Sequence, residues 1–385
     1  MAKTTLRSSI LLVIGLFALS SLSISCAKKP TADDLAGIID GGNGRYLYVA
    51  SGACYSGGNT TFTNTTSSNM VYRINLSTGN RDSIVADYLA SPSNTGDSPV
   101  GIASIDSDNL YVLVENTTTT SLRRIEKVQK RNLGSRSVFS NNTAALAAQV
   151  RNLLKLSNGD LLATRTSAVE YINTSNVRIG APYINPSAAP CASSNTLITK
   201  SISIGTFGRF LFLHAGASQS RFGIMAANGG TACMASGVQA APAATAFPVA
   251  AVYDAANSKI IVAYASNAAT TDLNSVYVYP YSETASTVTI GTGVKIYDAS
   301  AYPATYPFLL YGISEMTYDS DTSTIYVATA INTATTVANY AIEKLSYNPS
   351  QIGVDNTKVL TRVGSTPFYP YGNDTKCISQ MIISN

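Results

Sequence analysis

The sequence predicts an all-β chain of six repeated four-stranded antiparallel sheets, closed into a ring by its last strand. One observation is a repeat. Six short apolar, β-branched or aromatic runs each follow a turn: Leu47-Tyr48-Val49, Leu110-Tyr111-Val112, Leu161-Leu162-Ala163, Phe210-Leu211-Phe212, Ile260-Ile261-Val262 and Ile325-Tyr326-Val327. Their starts lie 63, 51, 49, 50 and 65 residues apart, which suits a unit of four short strands with turns. The other observation is a mismatch at the ends. The first repeat opens on its second strand, and the chain finishes on Cys377–Ser384, a first-strand pattern with nothing after it.

Within each repeat the strands are named A to D. Strand A ends in a turn rich in Asp, Asn, Ser and Gly: Ile102–Ile105, Leu153–Leu156, Ile202–Ile204, Val249–Tyr253 and Ile313–Tyr318. Strand B is the recurring apolar run. Strand C alternates with period two, most clearly at Val71–Leu76 and Val276–Tyr279, and strand D is shorter, as at Val294–Tyr297. No stretch has a helical period of useful length; Ala144–Leu154 comes nearest and reads as one turn leading into a strand.

This repeat resembles that of six-bladed β-propellers over nearly all of residues 45–385, and the split first repeat resembles the strand exchange that closes many of them. Closure removes an unpaired edge and an uncovered sheet face. In an antiparallel A–B pair the start of A lies beside the end of B, so closure brings Cys377 to Cys54 and leaves Cys191 to pair with Cys233.

The first 26 residues give an address. Lys3 and Arg7 precede the apolar stretch Ile10–Leu22, and Ser25 precedes Cys26, the pattern of a secretory signal peptide. A cysteine at that point resembles the bacterial lipoprotein signal, although Ser23 stands where the usual box has Leu. The resemblance implies cleavage, lipidation of Cys26, a tether over 27–44 and a place in the envelope, at the outer membrane. Ile10–Leu22 is short for a membrane span. Four cysteines remain after Cys26, an even number that suits an oxidising compartment.

Composition excludes more than it assigns. Charged residues are 12% of the chain, there are 23 Tyr and no Trp, and the formal charge of +4 falls to +2 once Lys3 and Arg7 are removed. No basic patch of the kind that binds nucleic acid exists. His214 is the lone histidine, no Gly-x-Ser-x-Gly elbow accompanies it, and it reads as a hydrogen-bonded core residue. Zinc ligation in its common patterns is excluded. Asp106/Asp108 and Asp319/Asp321 are paired acids suited to calcium, but Asp is equally a turn former. Six-bladed lactonases carry a metal on central carboxylates, and Glu315 is the single acid near such a position.

A ligand site is expected on the rim bearing the long B–C and D–A loops: Gly52–Asn69, Asp87–Ser98, Pro186–Thr196, Ser236–Ala246, Asp298–Leu310, Ala330–Asn339 and Ser365–Lys376. Tyr302, Tyr306, Phe368, Tyr369 and Tyr371 lie in two of these loops beside prolines and suit a protein, peptide or glycan; the competing reading is that they pack over neighbouring sheets. Arg151, Lys200, Glu315 and Gln380 fall near the starts of A strands, at the channel mouth, where a mixed ring suits a polar ligand or cation. The expected function is a lipid-anchored, non-catalytic binding or scaffold module without a cofactor. The alternative is a metal-dependent hydrolase or lactonase with its site in the channel.

Overall fold

The computed structural model describes residues 44–384 except 56–61, 65–68, 91–92, 142–144, 147–148, 167, 185–196, 216–219, 226–232, 235, 244–245, 267–273, 311, 332–338 and 370–376. The signal segment, Cys26, most of the tether, Cys191 and Tyr371 therefore lie outside the described residues, as does much of the long-loop rim.

Alternation along a strand decides which neighbour each side chain meets, because successive residues point to opposite faces of a sheet. In the strand Tyr46–Ser51, Leu47 and Val49 join a cluster with Tyr326, Ala328 and Ile342, while Tyr48 and Ala50 join one with Ile102, Leu110 and Val112. The same division recurs in every repeat, so six apolar clusters form, one between each pair of adjacent sheets. Both faces of each B strand are buried, which is why those runs read as continuous hydrophobic stretches rather than alternating ones.

The result is a six-bladed β-propeller. Blades 2, 3, 4 and 6 run in sequence order from their A strands at Asp97–Ser104, Val150–Lys155, Leu197–Ile204 and Glu315–Asp319, each pairing antiparallel with its following B, C and D strands. Blade 5 begins at Ala246–Asp254, and two strands, Val288–Ile290 and Val294–Asp298, pair with its C strand Ser275–Glu283. Blade 1 is composite. Ile378–Ser384 pairs antiparallel with Tyr46–Ser51, Tyr46 opposite Ser384 and Val49 opposite Met381, and Met70–Asn75 and Arg81–Asp87 complete it.

Consecutive A strands touch all the way round, including Ile378–Ser384 against both Asp97–Ser104 and Glu315–Asp319. The seam is as well packed as the other joints: Leu47, Ile378 and Met381 meet Tyr326 and Ile342. An ion pair adds to it, with Arg45 Nη2 2.6 Å from Asp319 Oδ1. Cys377 is buried at φ 55° and its carbonyl accepts from Gly52 N at 3.0 Å.

Three expectations are revised. Within Gly52–Asn69, Ala53–Tyr55 pairs with Phe62–Asn64 as a separate two-stranded ribbon. Ser236–Ala246 is not wholly a loop: Val238–Ala240 is the D strand of blade 4. The A strands of blades 2 to 5 begin earlier than their expected apolar cores, at Asp97 and Leu197 for example, because the residues there still pair with strand B, whereas that of blade 6 begins later, at Glu315. Among the described residues no helix is long and apolar enough to cross a membrane.

Candidate functional site: channel and rim

The inner edge of each A strand faces the channel, and its main-chain groups need partners that no neighbouring strand supplies. Side chains of the A strands, largely from other blades, provide several of them. Gln380 of blade 1 accepts through Oε1 from Ile102 N (3.0 Å, blade 2) and Leu153 N (3.1 Å, blade 3), and its Nε2 donates to Leu153 O (2.8 Å). Asn152 accepts through Oδ1 from Ser201 N (3.0 Å) and Ser201 Oγ (3.1 Å) in blade 4. Ser379 Oγ donates towards the Ala50 and Pro99 carbonyls.

Lys200 of blade 4 reaches across the ring. Its Nζ donates to Ser379 O (2.9 Å) in blade 1 and forms an ion pair with Glu315 Oε2 in blade 6. Glu315 Oε1 accepts from Met316 N at 3.0 Å. Burial pushes the Lys200 ammonium well below the ordinary lysine range, and the Glu315 carboxylate stands where it counters that cost. Lys200, Glu315, Arg151 and Gln380 are all buried. They sit inside the channel, not on its rim as strand ends exposed to solvent, because each has a main-chain or charged partner on another blade or is enclosed by the strands around it.

The aromatic loop residues divide. Tyr302 is 44% exposed. Tyr306 is buried, donates to Ile296 O at 3.1 Å and packs on Tyr297 with ring centroids 4.6 Å apart. It therefore offers no free ring to a ligand, since the loop folds back onto its own blade and Tyr297 Oη accepts from Leu310 N (2.8 Å) to hold it there. Phe368 and Tyr369 are half-buried. Phe368 meets Tyr326 edge-on at 5.1 Å, and Tyr369 bridges main chain to main chain with Ile342 and lies 5.8 Å from Tyr72.

The paired acids are turn residues. Asp106 Oδ1 accepts from Asp108 N (2.8 Å) and Asn109 Nδ2 (3.0 Å), while Asp319 accepts from Arg45, Asp321 N (3.1 Å) and Thr322 Oγ1 (2.7 Å). Among the described residues no group of three or more His, Cys, Asp or Glu side chains is placed to hold a metal. A metal of the lactonase kind does not fit the donor set seen, because Glu315 has its oxygens committed to Lys200 and Met316. His214 is fully buried, yet neither ring nitrogen has a hydrogen-bond partner among the described residues. Its pKa falls to about 4, through desolvation first and the nearby Arg221 second.

Sequence reasoning missed a cavity of about 420 Å³ on the opposite, short-turn side of the ring. Its walls are the C-terminal halves of three A strands: Ile102–Ser104, Leu153–Ser157, and Ile382 with Ile383. Gln380 also lines it. The signal available in the sequence was Lys155, a cation ending an apolar A strand.

No protein-family model matches the chain, and no curated protein is similar to it. Solved structures of similar shape include a protein of unknown function from Bacteroides caccae (12% identity, 89% of this chain and 99% of that one, TM-score 0.47). Others are the calcium-binding protein regucalcin from Agrobacterium tumefaciens (12%, 70% and 77%, TM-score 0.44) and a gluconolactonase from Xanthomonas campestris (8%, 73% and 78%, TM-score 0.44).

Proposed function

We propose that the chain is a non-catalytic binding propeller of the bacterial envelope, anchored through a lipid on Cys26, whose long-loop rim takes a protein, peptide or glycan. One observation carries the reading. The polar side chains of the channel are spent on the ring itself: Gln380 on Ile102 and Leu153, Asn152 on Ser201, Lys200 on Ser379 and Glu315. Buried side chains bonded from one blade to another in this way stabilise the assembly, and Gln380, Asn152, Lys200 and Glu315 are each engaged by the ring rather than held open as a general acid or base. Recognition then falls to the rim, where among the described residues Tyr302 is an exposed aromatic and Phe368 and Tyr369 are half-buried ones. In this reading Cys54–Cys377 and Cys191–Cys233 are disulfides, supported by the buried position of Cys377 beside Gly52 and by neither Cys233 nor Cys377 being a free thiol.

The test is capture of partners from envelope extracts and on glycan and peptide arrays, with the full chain and its Tyr302→Ala/Tyr369→Ala variant. Loss of a saturable partner in the variant supports the reading; binding unchanged by both substitutions sinks the aromatic face. Phase separation in detergent is expected to move the protein to the aqueous phase when Cys26→Ala is introduced.

A second reading is a hydrolase or lactonase centred in the channel. What favours it in this chain is the buried Lys200–Glu315 pair, because perturbed, paired ionisable groups in a channel are frequent at active sites. Lactone ring-opening that is abolished by Lys200→Met in a folded protein selects this reading over the first.

A further inference from the structure

We propose that the cavity on the short-turn side binds a small organic carboxylate with an apolar body, independently of the long-loop rim. The cavity lies between blades 1, 2 and 3. Its volume of about 420 Å³ falls in the size range of small-molecule sites.

The chemistry of its lining selects the ligand. Ile102, Leu153 and Ile382 give the hollow its apolar wall, while Leu154 and Leu156 turn towards blade 4 and Ile383 towards blade 6. Lys155, in the same wall, has one partner among the described residues, Ile105 O at 2.8 Å. An ammonium carries three N–H donors, so the two others remain for a ligand. Ser157 is exposed at the edge and offers a hydroxyl. A second cation stands behind the wall. Lys130 is buried, with its Nζ 3.0 Å from Ser104 Oγ and 2.6 Å from Ser384 Oγ, and it feels the charge of Lys155.

The acids nearby, Asp106 and Asp108, also act on Lys130. Asp106 turns its carboxylate into its own turn, onto Asp108 N and Asn109 Nδ2, so it does not claim Lys155. A cation at one end of an apolar hollow matches a carboxylate joined to a hydrocarbon or aromatic body. A neutral alcohol of equal length would leave the Lys155 donors unmet, and a free inorganic anion would leave the wall wet.

The experiment is calorimetric titration of the purified mature protein with octanoate, benzoate, octyl phosphate and octanol, repeated on Lys155→Met and Ser157→Trp. Circular dichroism confirms that both variants fold. The expected result is saturable octanoate binding, at least tenfold weakened by Lys155→Met and blocked by Ser157→Trp, with octanol much weaker than octanoate. Octyl phosphate binding more tightly than octanoate overturns the carboxylate assignment in favour of a phosphate headgroup. Equal binding of octanol and octanoate, or no binding of any probe at millimolar concentration, overturns the site as an anion receptor. None of these outcomes involves Tyr302 or Tyr369, so success or failure here is separable from that of the long-loop reading.

Discussion

Gln380, on the C-terminal strand, holds both main-chain groups of Leu153, 227 residues earlier in the chain, with N–H to Oε1 at 3.1 Å and Nε2 to carbonyl at 2.8 Å. The side-chain amide thus does for the inner edge of blade 3 what a neighbouring strand does elsewhere. It accepts from Ile102 N as well, so one residue of blade 1 ties down two other blades.

Replacing it by an isosteric apolar group isolates that role. Gln380→Leu leaves Ile102 N, Leu153 N and Leu153 O buried without these partners, at a cost of about 2–4 kcal/mol. Urea unfolding of the variant is expected to show a lower midpoint at unchanged slope; a midpoint within error of the parent protein would mean that water or a neighbour takes over the bonds.

The pH dependence of stability should carry the mark of His214. Its folded pKa, about 4, lies below the ordinary value of 6.5. The unfolded chain therefore binds a proton that the folded chain refuses between these values. Stability contributed by the neutral, buried ring is intact above pH 6.5 and declines as pH falls towards 4, by about 3 kcal/mol in all. Below pH 4 both states are protonated and this slope ends. His214→Phe should flatten the decline when unfolding midpoints are compared at pH 7, 5.5 and 4.5. An equally steep decline in the variant would assign it to carboxylates instead.

Tyr302 and Tyr306 sit four residues apart in one loop but belong to different environments. Tyr302→Ala removes a ring that is 44% exposed and is expected to change stability by less than about 0.5 kcal/mol. Tyr306→Ala empties a space between Tyr297 and Phe308 and deletes the bond to Ile296 O, costing about 3–5 kcal/mol. Thermal melts of the two variants separate surface from core. A destabilised Tyr302 variant would show that its ring supports the loop.

The contrast also marks what a sequence can convey. The B strands were legible because each is buried on both faces, so Leu47–Val49 or Ile260–Val262 is apolar without interruption. Closure was legible because Cys377–Ser384 has a strand pattern that its own end of the chain cannot pair. The partners of Lys200 and Gln380 were not legible, since Ser379 and Leu153 become neighbours of these residues only after six blades have closed. Nor was the burial of Tyr306. Whether a proline-flanked tyrosine faces solvent or its own blade depends on Tyr297 and Leu310 holding the loop, and composition carries no sign of that. The short-turn cavity escaped for a related reason: Lys155 and Ile382 look like ordinary strand ends until three blades bring them together.

The seam offers the last prediction, because two kinds of closure act there and can be removed separately. Strand pairing from Tyr46 to Ser51 against Ile378–Ser384 supplies the hydrogen bonds, and Met381 and Ile378 supply the packing. The proposed Cys54–Cys377 bridge adds a covalent tie over a loop that spans nearly the whole ring, for which chain entropy assigns roughly 6 kcal/mol. Non-reducing peptide mapping should recover Cys54 joined to Cys377. Cys377→Ser should then keep the native circular dichroism, because pairing and packing survive, while its unfolding midpoint drops. Ending the chain at Lys376 should be far more damaging. It uncovers the edge of Tyr46–Ser51, opens the contact with Glu315–Asp319 and removes Gln380 from Leu153 in one step. The expected outcome is protease-sensitive, aggregating protein without a cooperative transition. A truncated chain that still melts cooperatively near the parent temperature would show that the ring does not depend on its last strand.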